Sequence, residues 1–254
     1  MWDPELYGRF ADQRNRPFHE LTARIGATAP ANVVDLGCGD GALTETLTER
    51  WPSASVLGVD SSEEMLGSAA ARKSDRLSFV LEQIQDWRPS GPVDVIVSNA
   101  ALHWVPGHVS LLPRLVSALA PGGWLAIQVP GNFEAPSHTL LRTLCDSPRW
   151  SGQLGTAGEW PSTPSPSDYV ASLVELGCVV DAWETTYAQV LQGDDPVLTW
   201  MRGTALRPVY ERLSADEAAE FAAELGVMLR EAYPSRPYGT VLPFRRIFAV
   251  ARLV

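Results

Sequence analysis

A glycine-rich turn with an acidic residue in front of it carries the clearest chemical signal in the sequence. Asp35 precedes Gly37, Cys38 and Gly39, and a second acidic residue, Asp60, ends the next apolar run. Glycines let a backbone turn tightly and approach a ligand, and a helix that starts after such a turn offers free N–H groups. A carboxylate at the end of the second strand can bind both hydroxyls of a ribose. The two acids and the turn therefore predict a nucleoside-binding site.

The charge of Asp35 discriminates between two nucleoside cofactors. The spacing Gly37-x-Gly39-x-x-Ala42 also fits the loose dinucleotide fingerprint. However, a carboxylate just before the first glycine repels a pyrophosphate, whereas it pairs well with an ammonium group. S-adenosylmethionine has such an ammonium group and no phosphate. The sequence therefore favours S-adenosylmethionine, and a NAD-dependent oxidoreductase is the alternative from another functional class.

Strands and helices that alternate along the chain must position these residues. This alternation predicts an α/β fold with a doubly wound sheet and right-handed crossovers. The predicted strands are Asn32–Gly37, Ser55–Asp60, Leu77–Leu81, Val93–Asn99, Trp124–Val129, Cys178–Tyr187 and Phe244–Leu253. The predicted helices are Ala42–Arg50, Ser61–Arg72, His108–Leu119, Ser137–Cys145, Tyr169–Leu176, Val197–Ala205 and Ala215–Glu231.

A single domain with an insertion is the predicted organisation. About 55 residues separate the sixth and seventh strands, which is far more than a hairpin loop needs. We therefore expect a cover segment at 1–30, a core at 31–187, an inserted helical cap at 188–242 and a last strand at 243–254.

The composition excludes several classes of function. Hydrophobic residues make up 45% of the chain, so it can form a packed core, and its net charge of −10 argues against nucleic acid or an anionic membrane as partner. No apolar run approaches the roughly 18 residues of a membrane span. The three scattered cysteines indicate a reducing compartment, and neither they nor the four histidines have zinc-site spacing. We expect a cytoplasmic protein without a metal. The sequence leaves the oligomeric state open.

Four motifs together resemble the class I S-adenosylmethionine-dependent methyltransferases. They are Asp-Leu-Gly-Cys-Gly at 35–39, Gly-Val-Asp-Ser-Ser at 58–62, Ser-Asn-Ala at 98–100 and Leu-Ala-Pro-Gly-Gly at 119–123. This resemblance covers residues 32 to about 130 and implies a Rossmann-like, mostly parallel sheet of seven strands. Gln83 departs from the family, which usually has an acidic residue at that position. The cofactor-binding residues that the resemblance implies are Asp35, Gly37, Cys38, Gly39, Asp60, Ser61, Met65, Gln83, Ile84, Asn99 and Ala100.

The flanking segments resemble more narrowly those methyltransferases that esterify one carboxylate of trans-aconitate. The shared segments lie at 2–17, 99–106, 128–133, 183–187 and 243–248. The resemblance implies a monomethyl ester and S-adenosylhomocysteine as products. A carboxylate is already ionised at pH 7, so no general base is required and catalysis is mainly a matter of alignment. We expect Asn99 and His103 to position the reactants.

A substrate with three carboxylates requires local positive charge in a chain that is negative overall. Guanidinium groups can bind carboxylates through two parallel hydrogen bonds. The candidates are Arg14, Arg16, Arg207, Arg245 and Arg246. The last two point to opposite faces of a strand, so at most one faces the site, and we expect it to be Arg245. The other predicted substrate-binding residues are Tyr7, His103, Trp104, Asn132 and Tyr187. A methyltransferase for another small metabolite and a nucleoside-binding domain without turnover are the remaining alternatives.

Overall fold

Seven strands form one sheet in the computed structural model, which describes residues 11–158 and 163–254. The strands are β1 (Asn32–Leu36), β2 (Ser55–Asp60), β3 (Leu77–Leu81), β4 (Val93–Asn99), β5 (Leu119–Pro130), β6 (Cys178–Leu191) and β7 (Thr240–Leu253).

The α-helices of the described residues mostly follow the strands. They are α1 (Ala11–Ala23), α2 (Ala42–Arg50), α3 (Glu63–Ala69), α4 (Leu112–Ser117), α5 (Pro136–Cys145), α6 (Ser151–Leu154), α7 (Pro166–Glu175), α8 (Pro196–Arg202), α9 (Arg207–Tyr210) and α10 (Ala215–Ala232). Short 3-10 turns lie at Ala70–Arg72, Leu102–Trp104, His108–Leu111 and Gly155–Gly158.

The strand order is β3-β2-β1-β4-β5-β7-β6. Strand β1 pairs in parallel with both β2 and β4, so the order reverses beside β1, and β7 runs antiparallel to its neighbour β5. Open α/β sheets bind ligands at such a reversal, outside the carboxyl ends of the strands. The order confirms the predicted doubly wound, mostly parallel sheet.

The two faces of the sheet differ in composition. One face buries an apolar cluster that includes Leu36, Ile96 and Ile127. Successive side chains of a strand point to opposite faces, so the intervening residues lie on the other face. The pairs Asp35–Val97, Asn99–Gln128 and Gln128–Phe248 are in register across β1, β4, β5 and β7. We call this second face, which carries Asp35, Asn99, Gln128 and Phe248, the site face.

The chain divides into two compact units. The sheet unit consists of Arg14–Pro130, Thr163–Thr185 and Arg246–Val254. The helical unit comprises, among the described residues, 11–13, 131–158 and 186–245, and it has its own apolar core around Trp150, Phe221 and Leu225. The roles of residues 1–30 as a cover and of 188–242 as a cap remain predictions.

Several element ends differ from the prediction. Strand β5 begins at Leu119 rather than Trp124, and the helix predicted at His108–Leu119 is a 3-10 turn followed by α4. The pairing of β5 with β4 shifts register between Val93 and Val95, so Pro121-Gly122-Gly123 interrupts the ladder without ending the strand. Strand β6 continues to Leu191 and β7 starts at Thr240, so both ends of the predicted cap belong to strands.

Three further findings concern the part of the chain that the structure describes. None of its helices has the length and apolar character to cross a bilayer. Within residues 11–158 and 163–254, no three His, Cys, Asp or Glu side chains lie together as a metal-binding group. Cys38, Cys145 and Cys178 are buried free thiols.

Candidate active site

The turn after β1 is shaped by its glycines. Gly37 has a φ of 84° and Gly39 a φ of 57°, both in the left-handed region. The N–H groups of Gly37 and Cys38 donate to the carbonyl of Val59 at 2.8 and 3.1 Å. A Cβ at Gly37 would lie 2.1 Å from the Cβ of Ala101, whereas a Cβ at Gly39 would meet nothing within 4 Å. Gly37 is therefore required by packing, and Gly39 borders open space that a ligand can enter.

The carboxylate of Asp60 joins this turn to the next one. Its Oδ2 accepts a hydrogen bond from the Gly39 N–H at 2.8 Å, and its Oδ1 accepts from the Ser62 N–H at 2.9 Å. An ionised carboxylate has about four acceptor positions. These two backbone bonds leave about two positions for a ligand, which is the number that a ribose diol requires.

The loops that follow β2 and β3 both begin beside Asp60, since Asp60 pairs with Leu81 at the end of β3. Ser62 accepts a hydrogen bond from the Met65 N–H and caps α3, while Ser61 is exposed and Met65 half-buried. The Glu82 N–H donates to the Asp60 carbonyl at 2.9 Å and fixes the start of the loop after β3. In that loop Ile84 is buried, and Gln83 is exposed with its Oε1 accepting from Gln85 Nε2 at 3.4 Å.

Asp35 is a buried carboxyl group with one strong hydrogen bond. The residue is only 3% exposed, and its Oδ2 accepts from the Thr44 hydroxyl at 2.6 Å. Burial raises the pKa of Asp35 to about 7; the Thr44 bond opposes this shift and the charge of Asp60 adds to it. A cation bound nearby would favour the ionised form. Sequence reasoning missed Thr44, whose only signal is a buried polar position on the apolar side of α2.

Cys38 lacks the environment of a reactive thiol. Burial raises its pKa, and the negative charges of Asp35 and Asp60 raise it further. Since the thiolate is the nucleophilic form, this cysteine contributes packing and backbone geometry to the turn.

The end of β4 has an unusual backbone conformation. Ala100 has a φ of 53°, and its N–H donates to the Gln128 carbonyl at 2.9 Å. Non-glycine residues in this region cluster at functional sites, since surrounding contacts must hold them there. The preceding residue, Asn99, is half-buried, and its Oδ1 has no hydrogen-bond partner in the described structure.

His103 and Trp104 follow in a short turn. Their ring centroids are 4.8 Å apart, and Trp104 is 52% exposed. The pKa of His103 is lowered to about 3, mainly by burial, then by the positive charge of Arg246 and by His108 in its protonated form. The imidazole is therefore neutral at physiological pH, so it can donate or accept a hydrogen bond but is a poor base.

The structure distinguishes the candidate arginines by burial. Arg246 is only 6% exposed, and it lies in the sheet unit close enough to His103 to affect that residue's pKa. Arg245 is half-buried in the helical unit, where its backbone N–H donates to Asn132 Oδ1 at 2.6 Å. The Arg207 side chain is 67% exposed and pairs with Glu211 at 3.0 Å, and Arg16 is exposed on α1.

The remaining predicted substrate-binding residues lie in two places. Asn132 and Tyr187 are both buried in the helical unit. Tyr7 and the side chain of Arg14 lie outside the described residues. Asn99, His103 and Arg246 all lie in the sheet unit, and their roles at the site remain predictions. The sequence favoured Arg245 over Arg246, whereas the burial of Arg246 and its proximity to His103 favour Arg246. Gln128, which the sequence gave only as part of the segment 128–133, lies beside Asn99 on the site face.

Comparisons with known proteins agree with this architecture. A family described as "Methyltransferase domain" matches residues 10–182. A trans-aconitate 2-methyltransferase from Rhodococcus jostii is 52% identical, and the match covers 100% of both chains. The enzyme of the same name from Streptomyces avermitilis is 50% identical over 98% of this chain and 96% of the relative. The crystal structure of the YcgJ protein from Bacillus subtilis shares the fold, with a TM-score of 0.62 at 14% identity over 94% of this chain and 98% of that one.

Proposed function

We propose, from the premise that this chain belongs to the trans-aconitate 2-methyltransferase family, that it esterifies one carboxylate of trans-aconitate. S-adenosylmethionine supplies an electrophilic methyl group: the new C–O bond forms as the C–S bond breaks, and the electron pair of that bond remains on sulfur. The products are a monomethyl ester and S-adenosylhomocysteine. The observation that carries this proposal is identity of about half the residues over nearly the whole length of relatives with this name.

The residues of the sheet unit suit this cofactor. Asp60 retains acceptor positions for the two ribose hydroxyls, and the buried carboxyl of Asp35 suits an ammonium group. Gly39 leaves room at the turn for the amino-acid portion. We assign to the cofactor the residues Asp35, Gly37, Cys38, Gly39, Asp60, Ser61, Met65, Gln83, Ile84, Asn99 and Ala100.

The acceptor needs alignment rather than deprotonation. A carboxylic acid with a pKa near 4 is ionised at neutral pH and is itself the nucleophile. His103, neutral with its pKa of about 3, therefore orients the substrate through a hydrogen bond and does not remove a proton. Holding the reacting atoms in line contributes much of the rate enhancement in such a reaction.

Arg246 is the guanidinium that we assign to the substrate. A buried arginine binds a carboxylate with charge-assisted bonds that water screens little. Its burial and its proximity to His103 favour it over Arg245, whose Nη1 donates to the Gly131 carbonyl at 3.4 Å. Contacts of Tyr7, Arg14, Arg16, Trp104, Asn132, Tyr187, Arg207 and Arg245 with the substrate remain predictions.

A comparison of two acceptors tests the proposed function. The purified protein is incubated with S-adenosylmethionine and either trans-aconitate or its trimethyl ester, and S-adenosylhomocysteine is quantified by chromatography. We expect product with trans-aconitate and only background with the triester, which has no ionised carboxylate. Equal S-adenosylhomocysteine formation with and without trans-aconitate would refute the proposal.

A further inference from the structure

Gln128 is a buried amide without hydrogen bonds to its side chain. It is 0% exposed, and both its Oε1 and its Nε2 lack a partner in the described structure. Burying an amide without partners costs free energy, and each such group in a native protein calls for an explanation. The buried amide of Gln128 therefore lowers the stability of the folded protein, and a methionine or leucine at this position would not carry that cost.

The position of Gln128 places it at the centre of the site face. It is in register with Asn99 on β4 and with Phe248 on β7, so all three side chains share that face. Arg246, two residues before Phe248 on β7, lies on the same face. Diagonal neighbours across an antiparallel pair are about 7–8 Å apart, within reach of long side chains. Gln128 thus lies between Asn99 and Arg246.

An aromatic pair includes Phe248, the neighbour of Gln128 on β7. Trp183 stacks on Phe248 with ring centroids 4.8 Å apart. Glu20 on α1 accepts hydrogen bonds from Trp183 Nε1 at 2.8 Å and from the Thr185 hydroxyl at 2.6 Å, which fixes the indole over Phe248. Because Gln128 itself is 0% exposed, a hydrogen bond that it makes is shielded from solvent and stronger than one at the surface.

We propose that Gln128 is an acceptor-binding residue whose Nε2 donates one hydrogen bond to the reacting carboxylate and one to Asn99 Oδ1. The second bond satisfies another buried acceptor on this face, since Asn99 Oδ1 also lacks a partner in the described structure. This inference rests on the proposed function, because it requires a carboxylate as acceptor.

A neutral amide suits the reacting carboxylate better than a second guanidinium would. The carboxylate loses its negative charge as the methyl group is transferred, so an ion pair with the reacting oxygens would bind the ground state more strongly than the transition state. Only interactions that are stronger in the transition state accelerate the chemical step. An amide N–H can align the carboxylate with little of this penalty, while Arg246 binds one of the carboxylates that does not react.

The substitution Gln128→Met separates this role from a structural one. Methionine has nearly the same length but cannot donate. It leaves Asn99 Oδ1 without a donor, but it also removes the buried Oε1 that lacks a partner, so the two effects on stability oppose each other. We expect a Tm close to that of wild type, unchanged affinity for S-adenosylhomocysteine by calorimetry, and a fall of about 10- to 100-fold in kcat/KM for trans-aconitate. The control is Gln192→Met, at an exposed glutamine whose Nε2 donates to the Tyr238 carbonyl at 2.9 Å. We expect that control to retain activity.

A second variant, Gln128→Glu, keeps the proposal testable if the methionine variant fails to fold. The carboxyl group that this variant introduces still donates when it is protonated, whereas it repels the substrate when it is ionised. The activity of Gln128→Glu relative to wild type should therefore fall as pH rises. A relative activity that does not change with pH, or wild-type kinetics in a folded Gln128→Met variant, would overturn the inference. Absence of activity in the wild-type protein would instead refute the proposed function.

Discussion

At the scale of single residues, the charge of Arg246 is the feature most open to a direct test. Replacing Arg246 with methionine keeps much of the buried aliphatic chain and removes the guanidinium. Charge-assisted hydrogen bonds are worth about 1.5–3 kcal/mol, so we expect kcat/KM for trans-aconitate to fall by roughly 10- to 100-fold. Affinity for S-adenosylhomocysteine, measured by calorimetry, should stay within about twofold of wild type.

The same strand provides a matched control for this substitution. Arg252 is exposed on β7, on the same face, with its guanidinium carbon 6.0 Å from the centre of the Trp124 ring. Arg252→Met should retain wild-type kinetics. If Arg246→Met also kept wild-type kinetics, Arg246 would not be the substrate-binding guanidinium.

The buried carboxyl of Asp35 predicts a particular pH dependence of stability. Its pKa is about 7 in the folded protein against 3.8 without burial, so the folded state holds a proton that the unfolded state has released. The free energy of unfolding should therefore decrease as pH rises from about 4 to 7. In Asp35→Asn this loss is absent, so the Tm of the variant minus that of wild type should increase between about pH 5 and pH 8 in thermal melts. A difference that stays constant with pH for Asp35→Asn would contradict the assignment.

A site residue could be predicted from the sequence when the contacts that define it are made by residues close to it in the chain. Gly37, Gly39 and Asp60 could be predicted because their roles follow from local backbone geometry and strand ends. The choice between Arg245 and Arg246 could not be predicted in this way. Side chains alternate between the two faces of a strand, so these residues lie on opposite faces, but the alternation does not show which face binds the substrate. Gln128 and Thr44 were not predicted as site residues, since the contacts that single them out arise only when separate elements pack together.

At the scale of secondary structure, the first half of the chain could be predicted closely. The predicted helix Ala42–Arg50 and strand Ser55–Asp60 have the same bounds as α2 and β2. Buried parallel strands are continuous apolar runs with clear ends. The end of strand β6 is harder to predict, because the strand has no continuous apolar run. In its last third the buried residues Gln189 and Leu191 alternate with exposed ones.

The cap of α10 predicts a local contribution to stability. The Ser214 N–H donates to the Glu217 carboxylate at 2.9 Å, and the Ser214 hydroxyl accepts from the Glu217 N–H at 3.4 Å, which forms a capping box. Replacing such a cap with alanine costs about 1 kcal/mol. We expect Ser214→Ala to lower the free energy of unfolding by about that amount in urea titrations. Ser172→Ala, which removes only a hydroxyl bond to the Asp168 carbonyl within α7, should change it little, and equal effects of the two substitutions would contradict this account.

At the scale of the whole molecule, a chain with a net charge of −10 must bind a substrate with three negative charges. The negative electrostatic potential of the protein as a whole repels such a substrate. Binding therefore depends on a positive side chain placed locally, where water is excluded. Arg246, buried on β7, is such a charge. The methyltransferase family match also excludes the oxidoreductase alternative, which the glycine turn alone had left open.

The bond that the protein forms between the methyl group and its acceptor tests most directly whether it is a carboxyl methyltransferase. The protein is incubated with trans-aconitate and S-adenosylmethionine labelled with ¹³C in the methyl group, and the product is analysed by mass spectrometry and ¹³C NMR. We predict one labelled methyl group per product molecule, attached to a carboxylate oxygen as an ester. Label on carbon, or no labelled product despite S-adenosylmethionine binding, would contradict it.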